Sequence, residues 1–527
     1  MQVKNFIFFM LIVLGAFINV SAAGQDSLVK FSDLNFRTDF EKQTFKKYQV
    51  SGVNTDVIDL FLNSYAKDEG YSSAYAHEQI NDCIRILKKE TAGMSQEKAV
   101  KEIYRYVHKR FFKVYNLKNS FSDVFETGEY NCVSGSATYA IIFHLMGIPY
   151  QIIELPKHVF LIAYPQTHKI FIESTIPDKG YFSFSENYVQ KYINYLKDSK
   201  IISQEEYDAN NVNDLFNKHY FLQKGLTIQE LAGIQYANYS IYYLEESEYE
   251  KACVEIKKAY YMAANERHKY MLEDLLKGTV SNSDYKDGKN IENLIILCRF
   301  NRQNEKGVTD ENIRNEFERV TRGQLINQSD EVQFESSYNR IRHEIKDSVL
   351  AKEIAFVYHY ELARTGYVKL KDKDYQMKHL TGAYSANKKD ADLQQLIIAY
   401  LGRQIETDFS VSNVMKLLNE LSANFDFLVD HAAYNSVKCN CLLELGYEHL
   451  MMNEIAKGEK YITDFESLVS KDKDIKPSDR FVERAYSTAA TYYYKKGNKA
   501  KAKQFLKKGI EYAPENFGLK LRLNQIN

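Results

Sequence analysis

The chain has 527 residues, enough for two or three domains with a sizeable core. Its 69 Lys+Arg and 70 Asp+Glu residues leave a net charge of −1, which argues against a general nucleic-acid binder, since that would need a basic stripe. Scarce Pro (6) beside abundant Lys, Glu, Leu and Ala points to a mainly helical protein.

The first residues read as a signal peptide over 1–23. Lys4 precedes an apolar run over residues 6–18, and Ser21 and Ala23 supply small residues for cleavage before Gly24. The run is too short for an ordinary membrane span, and no later segment is a better candidate. The expectation is therefore an exported protein, periplasmic or at the cell surface, with no stable membrane span after cleavage. No cysteine lies near the cleavage site, so no lipid attachment is expected there. The six cysteines (Cys83, Cys132, Cys253, Cys298, Cys439 and Cys441) form no disulfide framework, and Cys439-Asn440-Cys441 lacks the spacing of a zinc site. All but Cys132 read as small buried apolar residues.

Residues 24–74 form an N-terminal segment of mixed pattern, with a short helix expected over residues 56–65. A longer helix is expected over 75–89, carrying Ile80, Cys83, Ile84 and Leu87 on one stripe, with Gly93 ending the segment. Ser95 is the expected N-cap of the next helix, where Val100, Ile103, Tyr104, Val107 and Phe111 recur at helical spacing. Residues 117–129 read as a loop.

From Cys132 the pattern is helical again, with Val133, Ala137, Ala140, Ile141 and Leu145 as a buried stripe; Gly147 stops it and Pro149 follows. The period then changes from helix to strand, with strands expected over residues 150–155, 158–163 and 168–175. Alternation puts His158, Phe160 and Ile162 on one face. A four-residue loop would pair Ala163 with His168 and set His158 opposite Glu173. A six-residue loop would set Thr175 opposite His158 and leave Glu173 diagonal, still within side-chain reach.

This stretch holds a cysteine at a helix N-terminus, a strand histidine and a strand carboxylate. Such a cysteine beside a histidine can have a pKa well below the free value of about 8.5. Cys132 is the candidate nucleophile, His158 the base and later acid, and Glu173 the group that orients the imidazole. The Cys132 backbone N–H is one candidate oxyanion donor; for a second, Asn131 and Tyr130 qualify by proximity alone. The bland alternative is a buried structural thiol and an ordinary strand histidine. His144 reads as structural, His168 as exposed, and Gly128 and Gly135 as serving turn and packing.

After a helical connection over residues 196–225, residues 226–527 read as helical with repeated motifs. Two copies have the helix-pair length of about 34 residues and the small and aromatic offsets of tetratricopeptide repeats. The first carries Ser240, Tyr243, Ala252, Ile256, Ala259 and Ala264. The last carries Tyr486, Ala490, Tyr493, Ala502, Leu506, Gly509 and Pro514, with Gly497 in its turn. Weaker copies fall near residues 446–465 and 358–384, where generic helical hairpins fit as well. Residues 270–350 read as helical without a repeat.

The Gly128-x-x-Asn131-Cys132 run opening a helix, Gly147-Ile148-Pro149 after it, then a strand His and a strand acid, resembles the bacterial transglutaminase-like cysteine enzyme superfamily over residues 75–195. The resemblance implies an α+β papain-like core, a helix packed on an antiparallel sheet, followed by an all-α tetratricopeptide-like repeat domain. It matches Cys132 to the nucleophile, His158 to the base and Glu173 to the acid, which in the family is usually Asp. The position six residues before the cysteine, where papain-like enzymes carry an amide donor, holds Glu126, and the family's nearby tryptophans are missing. The implied function is an exported hydrolase or acyl-transferase acting on an amide or peptide bond, with a peptide or protein partner, no cofactor and no metal. The competing function is a non-catalytic scaffold that binds a protein or peptide along its repeats. A carbohydrate enzyme using paired carboxylates has nothing behind it beyond abundant acids.

Overall fold

The computed structural model describes residues 27–526 apart from 53–54, 63–72, 156–157, 184–185, 221–224, 304–306, 408–409 and 472–473. The signal peptide expected over residues 1–23 and the end of the helix expected over 56–65 lie outside the described residues; the described part of that helix is Val57–Leu62. The chain is mostly helical, with a small four-stranded antiparallel sheet in its N-terminal part and a long all-helical C-terminal region. It divides into two compact units, one ending at Glu316 and one beginning at Phe317.

The first unit is built on the helix Cys132–Met146. Asn131 starts it: its Oδ1 accepts from the N–H groups of Val133 and Ser134, both at 2.9 Å, while Ser134 Oγ accepts from the Asn131 N–H at 2.9 Å. This reciprocal cap satisfies donors that the first turn cannot. Gly147 ends it in the left-handed region at φ 71°. Every residue from Val133 to Phe143 is buried, as expected of a helix covered on all sides. Leu145 departs from the expected buried stripe: it is exposed, because the last turn, with His144 and Gly147, lies at the surface.

Two short strands, β1 (Val114–Tyr115) and β2 (Glu129–Tyr130), pair in parallel just before this helix, with Tyr115 opposite Tyr130. Between them, the expected loop contains one helical turn, Asp123–Glu126. Strands β3 (Tyr150–Leu155), β4 (His158–Ala163), β5 (Ile170–Ile172) and β6 (Tyr181–Phe182) form the sheet in chain order, all antiparallel. The Cys132 helix packs on β3 and β4, with Ser136 Oγ donating to the Val159 carbonyl at 3.1 Å. The helices Ala74–Glu90 and Ile228–Glu245 also pack against it.

The β4–β5 register pairs Ala163 with Ile170 and Leu161 with Ile172, which is the six-residue loop of the two alternatives. Tyr164 accepts from the N–H groups of Thr167 and Lys169 to close that loop. After Ile172 the chain turns through residues 174–179, closed by the Glu173 N–H on the Gly180 carbonyl at 2.6 Å.

The N-terminal segment is held by buried charges rather than by apolar stripes alone. Lys258, fully buried, donates to Glu41 at 2.7 Å and Glu255 at 3.2 Å, and Arg37 pairs with Glu255 at 2.7 Å. Arg299 reaches the Leu28 carbonyl at 3.0 Å and the Asp33 carboxylate at 2.5 Å.

The helices Ile228–Glu245 and Tyr249–Met262 form a hairpin in which Ser240 Oγ donates to the Ala252 carbonyl at 2.8 Å. In the second unit, Ser348–Val368 pairs with Lys373–Ala386, Ala432–Met451 with Ile455–Val469, and Asp479–Lys495 with Lys499–Tyr512. Glycines set the close approach of the last two pairs. An added Cβ at Gly446 would meet the Gly458 carbonyl at 3.4 Å, and one at Gly509 would meet Tyr486 Cβ at 2.9 Å. No described helix is long and apolar enough to cross a membrane.

Lys258→Ala leaves Glu41 and Glu255 buried with only Arg37 to offset them. Urea unfolding is expected to show a loss of about 3 kcal/mol or more, the range found on breaking buried ion pairs.

Candidate active site

Cys132 is the first residue of its helix and is half-buried, whereas the five other cysteines are buried. Burial pushes the thiols of Cys83 and Cys439 up to about 12 and that of Cys441 up to about 11, which removes them as nucleophiles at neutral pH. The backbone donors after Cys132 are all engaged, Val133 and Ser134 by the Asn131 side chain and Gly135 by the Asn131 carbonyl. The Cys132 N–H has no partner among the described residues. The Asn131 side chain is held by structural contacts: its oxygen is the cap, and its Nδ2 donates to the Leu117 carbonyl at 3.0 Å. Tyr130, the other candidate, is buried with its ring stacked on Phe112 at 4.4 Å.

His158 opens β4. Extending the ladder from Leu161–Ile172 puts Thr175 opposite His158 and Glu173 on the diagonal, on the same face. The diagonal is bridged: His158 Nε2 lies 2.5 Å from Glu173 Oε2. The Cys132 side chain lies close enough to the imidazole to act on its titration. The structure thus brings Cys132, His158 and Glu173 together, with the imidazole tied to the acid by a hydrogen bond and within electrostatic reach of the cysteine.

The charges of this group follow from its contacts. The interaction with Cys132, then the hydrogen bond with Glu173, raises His158 from 6.5 to about 10, against the opposing effect of burial. The imidazole is therefore protonated at neutral pH and can donate from both nitrogens. Burial pushes the Glu173 carboxyl up, but hydrogen bonds from His158 and from the Thr175 hydroxyl and N–H outweigh it and hold Glu173 below the ordinary carboxylate range. Thr175 Oγ1 and N lie 2.6 and 3.1 Å from Glu173 Oε1, so each carboxylate oxygen has a fixed partner.

The segment carrying the acid is clamped by the helix Gln96–Phe111. The Tyr104 hydroxyl donates toward the carbonyls of Glu173, at 3.0 Å, and Ile176. His108 Nε2 donates to the Ser174 carbonyl at 2.9 Å, and burial lowers the His108 pKa, which keeps this histidine neutral and distinct in role from His158. Gly180 is required for the clamp: a Cβ there would lie 2.1 Å from the Glu173 oxygen and 2.2 Å from the Tyr104 hydroxyl. Gly135 lets the Cys132 helix meet the same segment, since its Cβ would sit 2.7 Å from Ser174 Oγ.

Tyr104 and His108 were not among the residues that sequence reasoning assigned to the site. Their signal is two polar groups four residues apart on an otherwise apolar helix face. Of the other histidines considered, His144 is exposed on the last turn of its helix, and His168 is exposed and pairs loosely with Glu97 at 3.5 Å. Among the described residues, one group brings three metal-ligating side chains together, Asp56, Asp59 and His77. It is satisfied internally, because Asp56 Oδ1 accepts from the Ile58 N–H and His77 Nε2 binds Asp59 Oδ1, each at 2.9 Å.

Gly180→Ala is expected to cost about 1–3 kcal/mol in denaturant unfolding through overpacking. A folded pKa of about 10 means that the His158 contribution to stability is complete below pH 6.5 and is lost as pH rises through 10. Glu173→Gln is expected to bring the His158 titration, followed by NMR, down toward 6.5 and to flatten the dependence of unfolding free energy on pH across that window.

No protein-family model matches the chain, and no curated protein matches it.

Proposed function

We propose that the protein is an exported, transglutaminase-like cysteine enzyme that opens an amide or peptide bond through Cys132, His158 and Glu173, and that its helical hairpins, read as tetratricopeptide-like repeats, bind the partner or substrate. The observation that carries the reading is His158, bound to Glu173 Oε2 at 2.5 Å and close enough to Cys132 for the cysteine to raise its pKa. A structural histidine needs one satisfied partner; a relay needs a nucleophile and an orienting acid on opposite nitrogens.

The Cys132 sulfur, as the thiolate whose proton the His158 imidazolium holds, attacks the carbonyl carbon, forming a C–S bond while the π electrons move to oxygen. The oxyanion lies at the helix N-terminus, where the unpartnered Cys132 N–H donates to it. On collapse the C–N bond breaks, and the amine leaves with the proton held by the His158 imidazolium. Water or a second amine then adds to the thioester carbonyl, giving its proton to His158, and the C–S bond breaks to release Cys132 as the thiolate beside the re-formed imidazolium. Glu173 stays ionised throughout and holds the imidazole in place.

Treatment of the folded protein with iodoacetamide at neutral pH is expected to label Cys132 ahead of the five buried cysteines. His158→Ala is expected to slow that labelling by about 100-fold, a typical acid–base contribution. A Cys132 that stays inert in the folded wild type would sink the enzyme reading and leave the scaffold reading in its place.

A further inference from the structure

The proposed reaction develops negative charge on a carbonyl oxygen, and one backbone N–H at Cys132 is a thin provision for it. Such sites ordinarily present two donors. The side chains nearest the Cys132 N-terminus can be taken in turn. Asn131 is buried and held in place, its oxygen on the helix cap and its Nδ2 on the Leu117 carbonyl. The Tyr242 hydroxyl is committed to the Leu117 carbonyl at 2.5 Å. Tyr130 is buried in the core beneath the site, stacked on Phe112. Glu126, six residues before the cysteine, lies in the separate turn Asp123–Glu126 and carries no amide N–H in its side chain.

Tyr115 remains. It lies on β1 directly opposite Tyr130, two residues before Cys132, and the parallel pairing fixes its backbone against the start of the Cys132 helix. The Asn116 N–H extends that pairing onto the Tyr130 carbonyl at 2.9 Å. The Tyr115 ring stands edge-on to Tyr130 at 5.8 Å, and the residue is 50% exposed. Its hydroxyl has no hydrogen-bond partner among the described residues. Packing around its oxygen, then the charges of Cys132 and Glu173, raises it above the ordinary phenol range; the group thus sits within electrostatic reach of both and keeps its proton.

We infer that the Tyr115 hydroxyl is the second oxyanion donor, completing with the Cys132 N–H a hole at the helix N-terminus for the tetrahedral intermediate of acyl transfer. This rests on the cysteine-enzyme reading above. As the sulfur adds to the carbonyl carbon, the new alkoxide accepts from the Tyr115 O–H and the Cys132 N–H; when the C=O bond re-forms and the leaving group departs, both donors are released with their own protons. Tyr115 neither gains nor loses a proton over the cycle.

Two reagents separate this role from any other. Acylation of Cys132 by p-nitrophenyl acetate passes through an oxyanion, whereas alkylation by iodoacetamide does not. Tyr115→Phe in the full chain is expected to slow p-nitrophenolate release at Cys132 by about 100-fold, the scale of one lost oxyanion donor, with the alkylation rate unchanged. Tyr242→Phe, as a control, is expected to leave the ratio of the two rates unchanged. Equal acylation rates for wild type and Tyr115→Phe overturn the inference alone, and so does a parallel fall in both rates, which would place Tyr115 on the thiol instead. A wild-type Cys132 inert to both reagents overturns the enzyme reading and the inference with it.

Discussion

Three carbonyl oxygens, those of Glu173, Ser174 and Ile176, are taken by two side chains of one helix, Tyr104 and His108. The rest of the site depends on this clamp. A carboxylate at the end of a short strand would otherwise swing on three side-chain torsions, and holding it would cost the rotamer entropy of a flexible side chain. Fixing the backbone on both sides of the residue, and Oε1 on Thr175, removes that freedom before His158 is met. The histidine then finds an acceptor already aimed at Nε2. Gly135 and Gly180 are the complement of the clamp, since the helices and the turn can only close on residues 173–176 where a side chain is missing.

The site is written in three segments that meet end-on. The helix N-terminus supplies the cysteine and an open backbone donor, the strand end supplies the imidazole, and the turn after the next strand supplies the acid. Each stands at an element boundary, where backbone groups are least engaged and a side chain can reach outward.

Much of this was legible. The helix from Cys132 to Gly147 follows from its apolar run and its glycine stop, and the two strands after it from their change of period. The alternation of β4 placed His158 on one face, and counting across the hairpin left two registers. The choice between them was hidden because the loop over residues 164–169 reaches the left-handed region at Tyr164 (φ 49°) and Lys169 (φ 46°), residues that carry no turn signature. Asn131 was read by its proximity to the cysteine, though Asn is among the strongest N-cap residues and that is its place. The N-terminal segment stayed opaque for a different reason. Its anchors, Asp33 with Arg299 and Glu41 with Lys258, are more than 200 residues apart along the chain, and no local pattern reports such a pairing.

The order of the three segments along the chain has a consequence for synthesis. Cys132 emerges first, His158 follows, and the glycine that lets the acid dock comes at position 180. The contacts that seat the acid join residues 66 to 72 positions apart, so they form only after a long loop has closed. A growing or unfolded chain therefore carries Cys132 without its neighbouring histidine, no different in surroundings from the other five thiols. The surroundings that set Cys132 apart, on this order, are assembled only when residues 173–180 have been made and docked.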